Sequence, residues 1–175
     1  MTFEKKILAE MPKCYALGMF EGEDTPSFLA AVEKDGPIRR FMLDGESLET
    51  VAPGPGGVMT ITQVPGRKDQ FLATRKFFSP NFGGDDAAIA SYTKQADGSW
   101  SEQILCDLPY VHRFGILKAA DGQLWVLACS IKGGAETGVK DDWRTPGAVW
   151  AAPLSNNLEQ YTADNQLKLT CVANY

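Results

Sequence analysis

One segment of this chain recurs almost unchanged in its spacing. Residues 7–19 read ILAEMPKCYALGM and residues 104–116 read ILCDLPYVHRFGI, and Ile, Leu, an acidic residue, Pro and Gly keep their positions at an offset of 97 residues. Two units of about 45–50 residues fit within that offset, which is typical of chains built from repeated supersecondary units. The recurrence therefore predicts several copies of one folding unit, each of which buries its apolar faces against neighbouring copies.

Two further elements recur in the same order. The second element is a short apolar run, and the third follows a turn and closes the unit. The second element stands at 28–33, 71–76 and 126–131, and the third at 44–51, 97–105 and 167–175. Because all three elements return in sequence, the unit is copied three times along the chain.

The segments between turn residues have the composition of β-strands. They are short, rich in β-branched and aromatic residues, and bounded by Gly, Pro, Asp or Asn. Only the first ten residues show helical spacing, with Phe3, Ile7 and Met11 four apart, but the alignment assigns that stretch to an outer strand. Strands are predicted at 15–20, 27–33, 58–64, 70–75, 87–93, 99–106, 111–117, 123–131 and 147–154.

Each unit is thus predicted to be a four-stranded antiparallel meander, and the fold class to be all-β. This repeat pattern, an outer strand ending in Leu-Pro or Met-Pro, an inner strand containing Gly and then the FLA strand, resembles β-propeller repeat proteins of bacterial type. The resemblance covers nearly all of the chain and implies propeller blades, but no activity, since propellers support many functions. It places blades at 13–52, 57–108 and 110–174, and makes residues 1–12 the outer strand of a neighbouring blade.

Three blades do not close a ring, because propellers typically have four to eight. Either the chain is half of a longer six- or seven-bladed protein, or identical chains assemble to complete the ring. The first alternative is favoured at this point, because a two-fold pair of chains would leave two surplus strands. In both cases the open ends predict a partner.

Charge and hydropathy exclude several classes of protein. The chain has 17 Lys and Arg against 22 Asp and Glu, a net charge of −5, which argues against a nucleic-acid partner. No apolar run reaches the roughly 18 residues needed to cross a bilayer, and the charged start is unlike a signal peptide. No membrane partner is expected.

The cysteines indicate a reducing, cytoplasmic location. Cys14, Cys106, Cys129 and Cys171 form no CxxC pair, and the single histidine, His112, is distant in sequence from most of them. Structural zinc sites need clustered Cys and His ligands, so none is predicted. Most of these thiols lie in apolar stretches, so we expect them to be reduced and buried.

The candidate catalytic residues lie at the start of the third unit. His112 titrates nearest to neutral pH and is the best candidate for an acid or base, with Arg113 beside it; the repeat aligns His112 with Tyr15. Neighbouring strand residues point to opposite faces unless a bulge intervenes. The alternative is a histidine wedged between blades with a satisfied hydrogen bond.

Candidate binding residues lie in the loops between second and third strands. These loops are short at 33–37 and long at 76–86 and 132–147, and long loops in compact units are often functional. The last contains carboxylates, an aromatic ring and a cation that suit a sugar, polyol or carboxylate. The predicted binding residues from these loops are Asp141, Asp142, Trp143 and Arg144, with Arg75 at the start of the second loop; Tyr15, on the first inner strand, is predicted to join them. The alternative is a solvated acidic loop with Trp143 packed as its anchor.

No cofactor is specified by the sequence. Asp-Asp pairs permit a divalent cation but lack the spaced ligands of an EF-hand, and the glycine-rich stretch at 52–57 lacks the ending of a phosphate loop. Two functions remain: a small-molecule enzyme acting on a sugar-like or polyol-like substrate at the channel mouth, and a noncatalytic module that binds a protein or glycan.

Overall fold

The chain folds into three antiparallel sheets of four strands each. The computed structural model describes residues 3–22, 25–79, 83–134 and 142–174. In each sheet the strands lie in chain order, so that each pairs with the one before and after it. The predicted all-β class and the three four-stranded antiparallel units are confirmed.

The strands follow the turn chemistry of the sequence. The N-terminal sheet contains β1 (Cys14–Glu21), β2 (Pro26–Val32), β3 (Ile38–Met42) and β4 (Ser47–Ala52). The middle sheet contains β5 (Ile61–Gln63), β6 (Gln70–Arg75), β7 (Ala88–Lys94) and β8 (Trp100–Asp107). The C-terminal sheet contains β9 (Val111–Lys118), β10 (Leu124–Lys132), β11 (Pro146–Leu154) and β12 (Thr170–Asn174), with a short 3₁₀ turn at Leu158–Gln160.

The middle sheet is covered on both faces. Its alternate residues contribute to two separate cores, as a strand period of two requires. Toward the N-terminal sheet, Phe71 lies edge-on to Phe20 at a centroid distance of 5.9 Å and stacks on Tyr92 at 5.0 Å. Toward the C-terminal sheet, Leu72 and Ile89 belong to the core that contains Phe114 and Val126. Burial of these apolar faces is what holds the three sheets together.

The links that lead into the three sheets share one backbone geometry. Lys13, Gly57 and Tyr110 each have a positive φ, at 52°, 68° and 56°. The carbonyl oxygen of each accepts a hydrogen bond of 3.1 Å from the far end of the second strand. The pairs are Glu33 to Lys13, Phe77 to Gly57 and Ile131 to Tyr110. This correspondence makes residues at the same distance from Lys13, Gly57 and Tyr110 structurally equivalent.

The N-terminal segment lies against the N-terminal sheet without joining it. Residues 3–10, all of which are described, form no strand. The Lys6 ammonium donates to the Asp44 carbonyl oxygen at 3.4 Å. The assignment of residues 1–12 to the outer strand of a neighbouring unit stays a prediction.

The expected burial of the cysteines is wrong for three of them. Only Cys106 is buried, and burial raises the pKa of its thiol to about 12. Cys14, Cys129 and Cys171 are exposed, and none of these four described cysteines forms a disulfide. For Cys129 the reason is strand alternation: it pairs with Arg113 on the solvent side of the C-terminal sheet, while its neighbour Ala128 points into the core.

Membrane-spanning helices are absent from the described part of the chain, where no helix is both long and apolar enough to cross a bilayer.

Candidate functional site

Two β-bulges aim the candidate residues. In β1 the pairing with β2 skips Tyr15, and in β9 the pairing with β10 skips His112. Both residues lie two positions after the positive-φ residue of their link, so the bulge recurs at equivalent positions. A bulge turns a side chain away from its strand's regular alternation. The bulge therefore allows the side chains of His112 and Arg113 to contact the same group, although neighbouring residues of a regular strand point to opposite faces.

The middle sheet bends at the same position. The backbone N–H groups of Met59 and Thr60 both donate to the hydroxyl oxygen of Thr74, at 2.7 and 3.1 Å. Thr74 is fully buried. Because both donors share this one oxygen, the side chain replaces the strand partner that the bend removes. Met59 is the middle sheet's equivalent of Tyr15 and His112.

Tyr15, His112 and Arg113 meet at one point, and we call them the Tyr–His–Arg cluster. The Tyr15 hydroxyl oxygen lies 3.5 Å from His112 Nε2 and accepts a hydrogen bond from Arg113 Nη2 at 3.4 Å. The Arg113 guanidinium also lies over the Tyr15 ring, 5.3 Å from its centroid. A phenol, an imidazole and a fixed cation thus share one hydrogen-bonded group, contributed by the first strands of two different sheets.

The middle sheet anchors this cluster from below. Arg113 Nη1 donates to the carbonyl oxygen of Met59. The Thr60 hydroxyl donates to the carbonyl oxygen of His112 at 3.2 Å. The ring of Phe77 contacts the imidazole edge-on at a centroid distance of 5.2 Å. Contacts from all three sheets therefore hold the imidazole and the guanidinium in place.

The electrostatics favour a neutral imidazole. Partial burial, and then the positive charge of Arg113, lower the pKa of His112 below its usual 6.5. At neutral pH the ring is unprotonated on one nitrogen, and with the proton on Nδ1 it presents Nε2 as an acceptor toward Tyr15. This is the protonation state that a general base needs.

A second group of interacting side chains lies next to the Tyr–His–Arg cluster, around the link residue Tyr110. The Tyr110 hydroxyl donates to Asp85 Oδ2 at 2.9 Å. Burial, together with this hydrogen bond and the charge of Asp85, raises the pKa of Tyr110 to about 12. The Lys132 ammonium lies 4.4 Å from the centroid of the Tyr110 ring and 4.9 Å from that of Trp143, with 1% of the residue exposed. Two aromatic faces thus line a buried cation.

Phe77 connects the two groups. Its ring contacts the Tyr110 ring edge-on, at a centroid distance of 6.4 Å and an interplanar angle of 89°. The same ring contacts the His112 imidazole. Tyr110, in the link, lies two residues before His112 of β9. The candidate site is therefore a continuous line of rings and charges from Tyr15 to Trp143.

Asp142 and Arg144 form a closed pair at the end of the long loop. Arg144 donates from Nε to Asp142 Oδ1 at 2.8 Å and from Nη2 to Oδ2 at 2.6 Å. The carboxylate is buried, whereas the guanidinium side chain is 74% exposed. Asp142 thus orients Arg144 toward solvent. Asp141, which was predicted to join them, lies outside the described residues.

Arg75 is not brought to this site. Its guanidinium pairs with the carboxylate of Glu102 across the middle sheet. Arg75 lies in register with Ala88, on the face of the sheet that packs against the N-terminal sheet. The prediction placed Arg75 in the group because it begins a long loop, but strand alternation directs its side chain elsewhere.

Sequence reasoning missed Lys132, Tyr110 and Phe77. Lys132 begins the long loop and Tyr110 follows a Leu-Pro link, so both positions were visible in the repeat. Their pairing was not, since it depends on the positive φ at Tyr110. Across the described ranges, no group of three His, Cys, Asp or Glu side chains is arranged to hold a metal ion.

The comparisons with known proteins add no assignment. No protein-family model matches the chain, and no curated protein is significantly similar to it.

Proposed function

We propose that the three sheets are blades of a β-propeller and that the Tyr–His–Arg cluster lies at one mouth of its channel. The convergence of the first strands supports this placement, because Tyr15 of the first unit reaches His112 of the third across Met59 of the second. In a propeller the inner strands of successive blades converge around an axis.

The proposed activity is proton transfer on a small hydroxylated molecule such as a sugar, polyol or sugar acid. His112 acts as the base, since its pKa is lowered and its Nε2 faces the cluster. Arg113 binds a substrate carboxylate or stabilises a developing oxyanion, and the Tyr15 hydroxyl donates or relays the proton. Trp143, 50% exposed, offers a ring face for a sugar, and Arg144 a second cation.

The observation that carries the proposal is the position of one atom. The Tyr15 hydroxyl oxygen lies within 3.5 Å of both a neutral imidazole nitrogen and a guanidinium nitrogen. A phenol that lies within hydrogen-bond reach of both a base and a cation is an arrangement suited to acid–base catalysis.

The second candidate is a noncatalytic module that binds a protein or glycan. The exposure of Tyr15, at 45%, and of Trp143 favours it, because open aromatic side chains suit an extended ligand. The two functions differ in whether the bound molecule is changed.

The experiment uses one ligand panel for both candidates. Gluconate, glucuronate, sorbitol and a mixed glycan array are tested for binding by saturation-transfer NMR, and each mixture is then followed by NMR for product. His112→Gln keeps a neutral hydrogen-bonding side chain, and Glu46→Gln on an exposed turn is the matched control.

Turnover that is lost in His112→Gln, with binding retained, supports the enzyme. Binding without turnover in the wild-type protein supports the module. If no member of the panel binds, or if the turnover is unchanged in His112→Gln, the proposal for His112 fails.

A further inference from the structure

The two end sheets each expose an apolar face, whereas the middle sheet exposes neither of its faces. We call the outer surface of the N-terminal sheet, formed by Leu17, Met19, Phe28 and Leu43, the N-face. Leu17, Met19 and Leu43 are 67%, 60% and 53% exposed, and with Phe28 and with Leu8 of the N-terminal segment they line a groove of about 360 Å³. An exposed apolar face of this kind marks a site of association.

The outer surface of the C-terminal sheet is the second such face. We call it the C-face, formed by Gly115, Leu117, Trp125 and Leu127. Gly115 pairs with Leu127 and Leu117 with Trp125, so the four residues form one block. Leu117 is 53% exposed and Trp125 is 37% exposed.

The contacts within the chain are head-to-tail. The equivalent residues Leu17, Ile61 and Phe114 each lie four positions after the positive-φ residue of their link. In each sheet, this residue lies on the face that is turned toward the preceding sheet. Ile61 and Phe114 are 6% and 8% exposed because a preceding sheet covers them, while no sheet among the described residues covers Leu17. The N-face is thus the surface that receives a preceding sheet.

The next residue of the first strand lies on the opposite face, which is turned toward the following sheet. Gly18 and Gly115 each stand five residues after their link residue. A methyl group on Gly18 would lie 2.9 Å from Ile61 Cγ2, so the side chain of Ile61 fills the space over that glycine. A methyl group on Gly115 would meet nothing within 4 Å among the described residues. Gly115 is therefore the equivalent of Gly18, but no side chain among the described residues packs over it as Ile61 packs over Gly18.

We propose that the N-face of one copy of this chain packs on the C-face of a second copy, with Leu17 seated over Gly115 as Ile61 is seated over Gly18. Two such contacts, related by a two-fold axis, close six sheets into a ring, a number within the propeller range. The inference rests on the propeller part of the proposed function and is independent of the chemistry proposed for His112.

The occupant we name is a second copy, because the two exposed faces repeat the two sides of the contact that the N-terminal and middle sheets make within the chain. Each sheet has its four strands, so none needs a strand from elsewhere. Within the single chain residues 3–10 form no strand, so the surplus strands that argued against a pair of chains are not seen there.

The test is the mass of the native protein at micromolar concentration, by sedimentation velocity and native mass spectrometry. Leu17→Glu changes the N-face and Gly115→Glu changes the C-face. Both side chains have room in the single chain, because Leu17 is exposed and Gly115 is open. Ala163→Glu, which adds the same charge on an exposed turn, is the matched control.

The expected result is a dimer for the wild type and for Ala163→Glu, and a monomer for each face variant alone. Circular dichroism and the unfolding midpoint confirm that the face variants are folded. An equimolar mixture of the two variants regains a dimer, because one unchanged N-face then meets one unchanged C-face. A dimer that pairs one face with the same face of its partner cannot be restored in this way.

Two results overturn the proposal. A monomeric wild type shows that the faces do not pair between copies. A dimer that only one of the two face variants abolishes shows that this face pairs with the same face of the partner and not with its other face. Neither result bears on ligand binding by the Tyr–His–Arg cluster, so this failure is distinct from failure of the proposed activity.

Discussion

Tyr15 and His112 are 97 residues apart, occupy the same position in two copies of one repeat, and lie within 3.5 Å of each other. Each is the residue that its strand pairing skips. The bulge that recurs with the repeat is therefore what assembles the candidate site, because it turns both side chains toward the line where the first strands converge.

The first prediction concerns the protonation of His112. Burial and Arg113 lower its pKa below 6.5, so its imidazole should titrate below that value. Arg113→Gln removes the positive charge and should raise the pKa, which still stays below 6.5 because burial is retained. His112 is the only histidine in the chain, so the imidazole signals in a ¹H–¹³C NMR titration need no assignment.

The same shift has a consequence for stability. Because the unfolded chain binds this proton at a higher pH than the folded one, the free energy of unfolding should fall as the pH drops through the window below 6.5. His112→Gln should flatten this part of the stability profile. A wild-type pKa at or above 6.5 would contradict the electrostatic argument for a neutral base.

The repeat made the architecture predictable, but only part of the candidate site. The spacing of Pro and Gly around Tyr15 and His112 aligned them correctly, because each copy of the unit needs the same link. The repeat does not show on which face of its sheet a side chain lies. Arg75 was placed with the loop for that reason, while alternation turns it to Glu102. Lys132 was missed because its burial depends on rings from distant segments.

The second prediction concerns the bend in the middle sheet. Thr74→Val removes the oxygen that accepts from the backbone of Met59 and Thr60 and leaves two donors without it. The expected loss in the free energy of unfolding is about 2 to 4 kcal/mol, since each unsatisfied buried donor costs about 1 to 3. Urea denaturation monitored by tryptophan fluorescence measures it.

Thr74→Ser is the control for that variant. It keeps the hydroxyl and loses one methyl group, so its cost should be about 1 kcal/mol. Equal losses in Thr74→Val and Thr74→Ser would mean that packing, and not the hydroxyl, holds the bend.

The third prediction concerns the shared link geometry. Gly57 and Gly66 have similar positive φ values, 68° and 78°, but only Gly57 is enclosed. A methyl group at Gly57 would collide with the backbone of Phe77, whereas one at Gly66 would meet nothing within 4 Å. Gly66→Ala should therefore cost only the left-handed strain, about 1 kcal/mol, and Gly57→Ala about 3 kcal/mol.

The comparison is made by thermal and urea unfolding of the two variants side by side. Because both substitutions carry the same backbone strain, their difference reports the close approach of the link to β6. A Gly57→Ala variant as stable as Gly66→Ala would show that the link is free to move.

The fourth prediction concerns the contact between the N-terminal and middle sheets. The Glu49 carboxylate accepts hydrogen bonds from Arg40 Nη1 at 3.0 Å, Lys94 Nζ at 3.1 Å and Trp100 Nε1 at 2.9 Å. Burial opposes its charge, but these three donors outweigh burial and lower the pKa of Glu49. Arg40 is only 3% exposed, so Glu49→Gln leaves a buried cation with a weaker partner. We expect a loss of about 2 kcal/mol at pH 7, below the range for fully buried pairs because Glu49 is 22% exposed.

The pH dependence separates this ionic effect from a change in packing. The stabilisation by the Glu49 carboxylate is complete above its unfolded pKa of about 4.5 and is lost as the pH falls through the lower folded value. The stability difference between the wild type and Glu49→Gln should therefore shrink in acid, while Glu46→Gln, on an exposed turn, should match the wild type throughout. Unfolding curves at pH 7 and at pH 3 measure both differences. A difference that is the same at both pH values would mean that Glu49 joins the two sheets by shape alone, and the ionic account of their contact would be wrong.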